Sequence, residues 1–344
     1  MSRDMLFAMA AGVASALVGL AFLARTPGAV LLIYLGPLPL LLAGLALGRR
    51  ASAVAAGVGV LLSGLLAGLP AMLLYAAGHA LPALTVVWLA LRQRAGIDIV
   101  VGGPSNESAP SGPADPALPE PVDGGLARVE RMEWYPHGYI AAWLALLAAA
   151  MIGAAALYFS SGDGFRAAIN DHVEPGLSAL AARFGGSDLK QINPMIVGLF
   201  PGLVGVSWVI MSVVNAVIAQ AIITRSGRAI RPKQAWGDFA LPDWISWALV
   251  GSALLALIGP GDVGYTGRNL AMALAFSHFL LGLVVVHDLA GRASQPVAIL
   301  IAFYVVLSFS PWVWLVVAAI GVLEHWIGLR NRIPGGPRAG SPKT

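Results

Sequence analysis

Apolar runs of bilayer length, separated by short polar breaks, make up most of this chain. They cover residues 5–24, 28–48, 51–69, 70–91, 138–158, 193–224, 244–258, 267–291, 296–309 and 311–328. An α-helix rises about 1.5 Å per residue, so roughly 20 apolar residues cross a hydrocarbon core of about 30 Å. The pattern therefore predicts an all-α, polytopic transmembrane helical bundle of about 10 membrane segments (range 8–10), some of them broken by Pro or Gly. The last two runs meet at Ser310 and Pro311, and the first of them is short, so residues 296–328 read either as two spans or as a re-entrant hairpin.

One stretch departs from this pattern. Residues 95–137 are rich in Pro, Gly and Ser and carry seven acids against Arg128 and Arg131. Such a segment cannot bury a core and is expected to be a disordered cytoplasmic linker, with a short interfacial helix over 126–134. It divides the chain into an N-terminal four-span unit, 1–94, and a C-terminal membrane unit, 138–332. Within the second unit, residues 160–193 are expected to lie on the periplasmic surface as amphipathic helix, interrupted at Pro175. Residues 333–344 are expected to be a disordered tail.

Composition supports the membrane reading. Hydrophobic residues make up 58% of the chain and charged residues 11%, against roughly 45–50% and 25% in soluble domains. There is no cysteine, which excludes disulfides and thiolate chemistry. The formal charge of +4 sits mostly beside the apolar runs as a topology signal, and no nucleic-acid partner is implied. With ten spans and the N-terminus inside, 16 of the 21 basic residues fall in inner loops. The positive-inside rule then puts both termini in the cytoplasm of a bacterial cell, with the protein multi-pass in the inner membrane.

Polar residues inside the apolar runs are the site candidates. Pro37 and Pro39 must break or kink the second run, since proline deletes a backbone donor and clashes with the turn before it. Broken helices are tolerated in lipid only where protein or a cavity satisfies the freed carbonyls. His79 lies midway along the fourth run with Tyr75 one turn before it, and Asn215 lies deep in the sixth, which is interrupted again around Pro201. His278 shares a stripe of small residues with Ala271, Ala275 and Gly282, marking 267–292 as a centrally packed helix. His79, Tyr75, Asn215, His278, Pro37 and Pro39 are therefore the ligand-binding candidates. Two pairs, His287 with Asp288 and Glu324 with His325, are expected at the cytoplasmic face, where they would bind a cation, relay protons or act as ordinary interfacial ion pairs. Asp171, His172 and Glu174 are close enough in sequence for a metal, but an exposed helix does not favour one. No Walker A loop, nucleophile elbow, H-E-x-x-H or dinucleotide fingerprint is present, so no catalytic residue, cofactor or metal is assigned.

The runs LPDWISWAL, GRNLAMALAFSHFLLGLVVVHDLAGR and WVWLVVAAIGVLEHWIGLRNR, with PLPLLLAGLALG in the second run, resemble the YybS-like family of uncharacterised bacterial multispanning proteins. A more distant similarity is to the substrate-binding membrane subunits of energy-coupling-factor vitamin transporters. Those dock on a partner subunit through small residues of the first helix, a pattern that Ala10 and Ala14, or Ala8, Gly12 and Ala16, would supply. The YybS-like resemblance implies only a multispanning membrane protein; the spans interrupted at Pro37, Pro39 and Pro201, with His79, Asn215 and His278 inside the bilayer, point to a transporter or a substrate-binding transporter subunit, with a lipid bilayer, a small molecule and membrane subunits as partners. The alternatives are a scaffold that recruits partners through its loops, and a lipid-acting membrane enzyme using His287, Asp288, Glu324 and His325.

Overall fold

The computed structural model describes residues 2–21, 28–101, 126–184 and 187–332. The expected linker interior and the C-terminal tail lie outside the described residues. The helices are α1 (Arg3–Gly19), α2 (Ala29–Tyr34), α3 (Pro37–Leu47), α4 (Arg49–Tyr75), α5 (Leu81–Ala90), α6 (His137–Phe159), α7 (Phe165–Phe184), α8 (Ser187–Arg225), α9 (Asp243–Ile258), α10 (Gly261–Gly291), α11 (Pro296–Phe309), α12 (Pro311–Ile327) and α13 (Leu329–Arg332). A π-helical turn, Ala76–Ala80, joins α4 to α5, and strands β1 (Gln93–Val101) and β2 (Leu126–Trp134) precede α6.

The helical membrane class stands, but the expected number of segments does not. Among the described residues, four helical runs are long and apolar enough to cross a bilayer: Arg49–Ala90, His137–Phe159, Pro194–Arg225 and Gly261–Gly291. The pair α11 and α12, bent by 119°, makes a fifth if it is one broken span. Leu31–Leu47 and Asp243–Ile258 are shorter apolar helices. The reason is that an apolar run is not a helix: Pro37 splits the second run into α2 and α3, and Gly259 and Pro260 stop α9 at Ile258.

The 42-residue run Arg49–Ala90 is not a straight rod. At Gly68 the backbone takes φ +82° and ψ 179°, a conformation that glycine adopts without a Cβ penalty. The chain then reverses. Gly59 lies under the Tyr75 hydroxyl, and Gly64 faces the Met72 side chain. The Arg49 guanidinium donates to the Leu91 carbonyl at 2.6 Å, which brings the two ends of the run together.

Residues 126–134 form a strand and not the expected helix. β1 and β2 pair antiparallel in register from Gln93↔Trp134 to Val101↔Leu126, with an Arg94–Glu133 ion pair at 2.9 Å between directly opposed residues. β1 is rich in Ile and Val, which fit a pleated ladder better than a helix. β2 then gains a partner for its backbone that a lone helix on a polar loop would not have. α7 also differs from expectation, running through Pro175 without a break. Residues 174–176 are exposed, where water can replace the hydrogen bond that proline deletes.

α10 is the centre of the C-terminal half, packing on α6, α8, α9 and α12. Its crossing with α12 depends on two glycines: a Cβ at Gly282 would meet the Val317 carbonyl, and one at Gly321 would meet the His278 carbonyl and lie 2.9 Å from the Gly282 nitrogen. Phe279 stacks on Trp314 beside this crossing, with ring centroids 4.6 Å apart.

Arginines tie the α8–α9 loop to its neighbours. Arg231, 6% exposed, donates to the carbonyls of Tyr135 (2.7 Å) and Ala90 (3.4 Å) and bonds Gln234. This pins the α8–α9 loop against the end of α5 and the start of α6. Burial pushes its guanidinium down to about 10, so it stays charged at neutral pH. Arg330 ties the same loop to α12 through the Gly237 carbonyl at 2.9 Å.

Candidate functional site at the broken helix

The break between α2 and α3 is where most of the candidate residues meet. Pro37 opens α3 without a backbone donor, so the chain from Tyr34 to Gly36 leaves the regular ladder. The Ile33 carbonyl takes the Gly36 nitrogen instead, at 2.9 Å. The Leu35 carbonyl takes the Leu38 nitrogen at 3.0 Å, and the Tyr34 and Gly36 carbonyls are served by side chains from other helices. Ser15 Oγ of α1 donates to the Gly36 carbonyl at 2.6 Å, and Tyr75 OH of α4 donates to Ser15 Oγ at 2.6 Å. Asn215 Nδ2 of α8 donates to the Tyr34 carbonyl at 2.7 Å and to the Met211 carbonyl of its own helix at 2.7 Å. The Tyr34 hydroxyl and Ser207 are also hydrogen-bonded.

His79 forms the opposite wall. It sits in the π-helical turn just before Pro82, a residue that cannot donate into a regular ladder. The wider turn leaves the Ala77 carbonyl free to accept from Trp208 Nε1 of α8 at 3.2 Å. π-turns of this kind are frequent at functional sites. The imidazole packs edge-on to Tyr75, with centroids 5.3 Å apart, and lies directly against Gly36, where a Cβ would collide with it, and close to Gly19, where a Cβ would be a tight 3.1 Å away.

Two atoms in this assembly have no hydrogen-bond partner, His79 Nδ1 and Asn215 Oδ1. Their residues are only 6% and 2% exposed. A buried polar atom left unpaired costs roughly 1–3 kcal/mol, and two of them at one helix break make it the candidate site among the described residues.

A second interruption is repaired rather than left open. Pro201 in α8 deletes the donor for the Val197 carbonyl, and Tyr265 OH of α10 supplies one at 2.8 Å. One residue on, Gly202 N donates to Asn269 Oδ1 at 2.8 Å while Asn269 Nδ2 donates to the Gly198 carbonyl at 3.2 Å. The Asn269 amide thus stands in for a missing helical hydrogen bond. Neither residue was among the sequence candidates. The available signal was a Tyr and an Asn four apart, beside a Pro and two glycines on another run.

The other candidates do not join the broken helix. His278 is fully buried between α9, α10 and α12, with Nε2 hydrogen-bonded to Ser246 Oγ at 3.0 Å. Its ring meets His325 edge-on at 5.9 Å, and His325 Nε2 lies 3.5 Å from Asp243. The four residues expected to act together at one face have separate partners: Asp288 pairs with Arg292 at 2.5 Å, Glu324 with Arg330 at 2.7 Å, and His287 with Tyr304 at 3.3 Å. On α7, His172 bonds the Ala168 carbonyl and Glu174 bonds Asn170. Among the described residues, no three His, Cys, Asp or Glu side chains are grouped to hold a metal ion.

Several long apolar helices and a buried polar break define a helical membrane protein. The chain belongs to the family described as Predicted membrane protein (DUF2232), whose match covers residues 138–324. That stretch runs from the start of α6 almost to the end of α12. No curated protein and no solved structure matches this chain.

Proposed function

We propose that this protein is a transporter, or the substrate-binding subunit of one, and that its small ligand binds at the α2–α3 break. The observation that supports it is the pair of buried, unpartnered atoms, His79 Nδ1 and Asn215 Oδ1, on two sides of a discontinuous helix. Discontinuous helices are the usual position of substrate and ion sites in membrane carriers. The distant similarity of the sequence to energy-coupling-factor subunits points the same way. The end that carries Arg231 and Arg330 is proposed to face the cytoplasm of a bacterial inner membrane, following the positive-inside rule.

The test is a comparison of small-molecule and ion pools, by mass spectrometry, in cells lacking the protein and in cells complemented with it. At least one pool is expected to change severalfold and to be restored by the wild-type chain but not by the His79→Ala, Asn215→Ala double variant. Unchanged pools would sink the transport reading. A second reading, a partner-recruiting scaffold, draws on the β1–β2 ladder, whose two outer edges have no neighbouring strand among the described residues. It expects a stable co-purifying protein that is lost when residues 96–130 are deleted, and full retention of such a partner on the deleted chain would remove it.

A further inference from the structure

Assuming the broken helix is the ligand site, the chemistry of its lining says what kind of ligand it takes. Apart from the one N–H that a neutral His79 ring carries, the donor hydrogens there are already used. Both Asn215 amide hydrogens go to the Tyr34 and Met211 carbonyls. Tyr75 donates to Ser15, and Ser15 donates to Gly36. What remains is acceptor capacity. The Tyr34 and Gly36 carbonyls each keep a second lone pair, Asn215 Oδ1 has no donor, and His79 Nδ1 has none either. In the neutral ring with its proton on Nε2, Nδ1 is an acceptor.

The charge balance agrees. Residues 28–48, 69–90 and 194–224, which supply most of the walls, contain no Lys, Arg, Asp or Glu. An anion would meet carbonyl and amide oxygens with nothing positive to balance it. A small cation would meet the negative ends of those dipoles, the arrangement by which unwound backbone in carriers holds ions. It would also supply a partner for an orphaned acceptor, His79 Nδ1 beside Gly36 or Asn215 Oδ1 beside Tyr34. We infer that the α2–α3 break is a binding site for a small cation, either an alkali ion or a protonated amine.

The test uses the full-length protein in detergent, held in N-methylglucamine chloride so that the only other cation is too bulky to enter. Sodium, potassium, ammonium and methylammonium chlorides are titrated while the thermal midpoint is followed, and calorimetry checks saturation. One of them is expected to raise the midpoint saturably, and the comparison of alkali with ammonium salts separates the two sources. The rise is expected to vanish in His79→Phe. Asn215→Leu and Asn215→Asp both lose the amide donor to the Tyr34 and Met211 carbonyls, so Asn215→Asp is the second variant, read against Asn215→Leu rather than against the wild type. It keeps an acceptor oxygen, adds a negative charge, and is expected to tighten cation binding about tenfold or more.

A saturable response to N-methylglucamine acetate or phosphate, with none to the cations, would overturn the cation assignment and leave the break standing as a ligand site. Flat responses to every cation overturn the assignment as well. If the metabolite pools also stay unchanged, the transport reading falls with it.

Discussion

Gly321→Val is expected to give a protein that no longer holds α12 against α10, with a stability loss of about 3 kcal/mol or more. The new Cβ would sit on the His278 carbonyl oxygen, and the neighbouring contact is backbone too. A flexible side chain could swing aside, but a helix can only separate, and separation here would also unstack Phe279 from Trp314. In a bilayer, the attraction between helices comes from close van der Waals packing rather than from burial away from water, so a lost close approach is not compensated. Gly321→Ala is expected to lower the thermal midpoint less than Gly321→Val. Gly291→Ala on the same α10, where a Cβ meets nothing within 4 Å, is expected to leave it unchanged. Equal midpoints for wild type and Gly321→Val would show that the crossing is not tightly packed.

Asn269→Leu is expected to cost about 2–5 kcal/mol, because it keeps the volume and removes both halves of the amide suture. Gly202 N and the Gly198 carbonyl would be left unpaired inside the bundle, with no water to take their place. Tyr265→Phe should cost less, since only the Val197 carbonyl loses its donor. If the two substitutions act on one opened stretch of α8, their combined cost should fall short of the sum. The measurement is the thermal midpoint of the purified variants in one detergent. An Asn269→Leu midpoint equal to that of the wild type would mean that Gly202 simply re-bonds to Gly198 and the suture is dispensable.

The broken second helix was legible in the sequence because Pro37 and Pro39 leave a local mark that no environment can erase. His79 and Asn215 were legible as polar groups in apolar runs, although nothing in the sequence showed that both face the same break. Asn269 and Tyr265 were missed for a physical reason. The run GPGDVGYTGRN reads as a loop, yet α10 begins at Gly261, with Pro260 before it and Asp262 in its first turn. Their role lies in a hydrogen bond that another helix cannot make, and this is invisible one helix at a time. The β1–β2 ladder was missed because its partner strands are separated by the whole polar stretch, and local composition outweighed the Ile and Val residues of β1. Span number failed because hydropathy counts apolar residues, while crossing depends on where proline and glycine let a helix begin and end.

The reversal at Gly68 has a consequence for the chain beyond it. Because Arg49 touches Leu91, whichever leaflet holds the first must hold the second, and the residues between them leave sidedness as they found it. A hydropathy plot that scores this run as a single pass would place α6 and all that follows upside down. One residue with a left-handed backbone thus decides the handedness of bookkeeping for the remaining two thirds of the polypeptide.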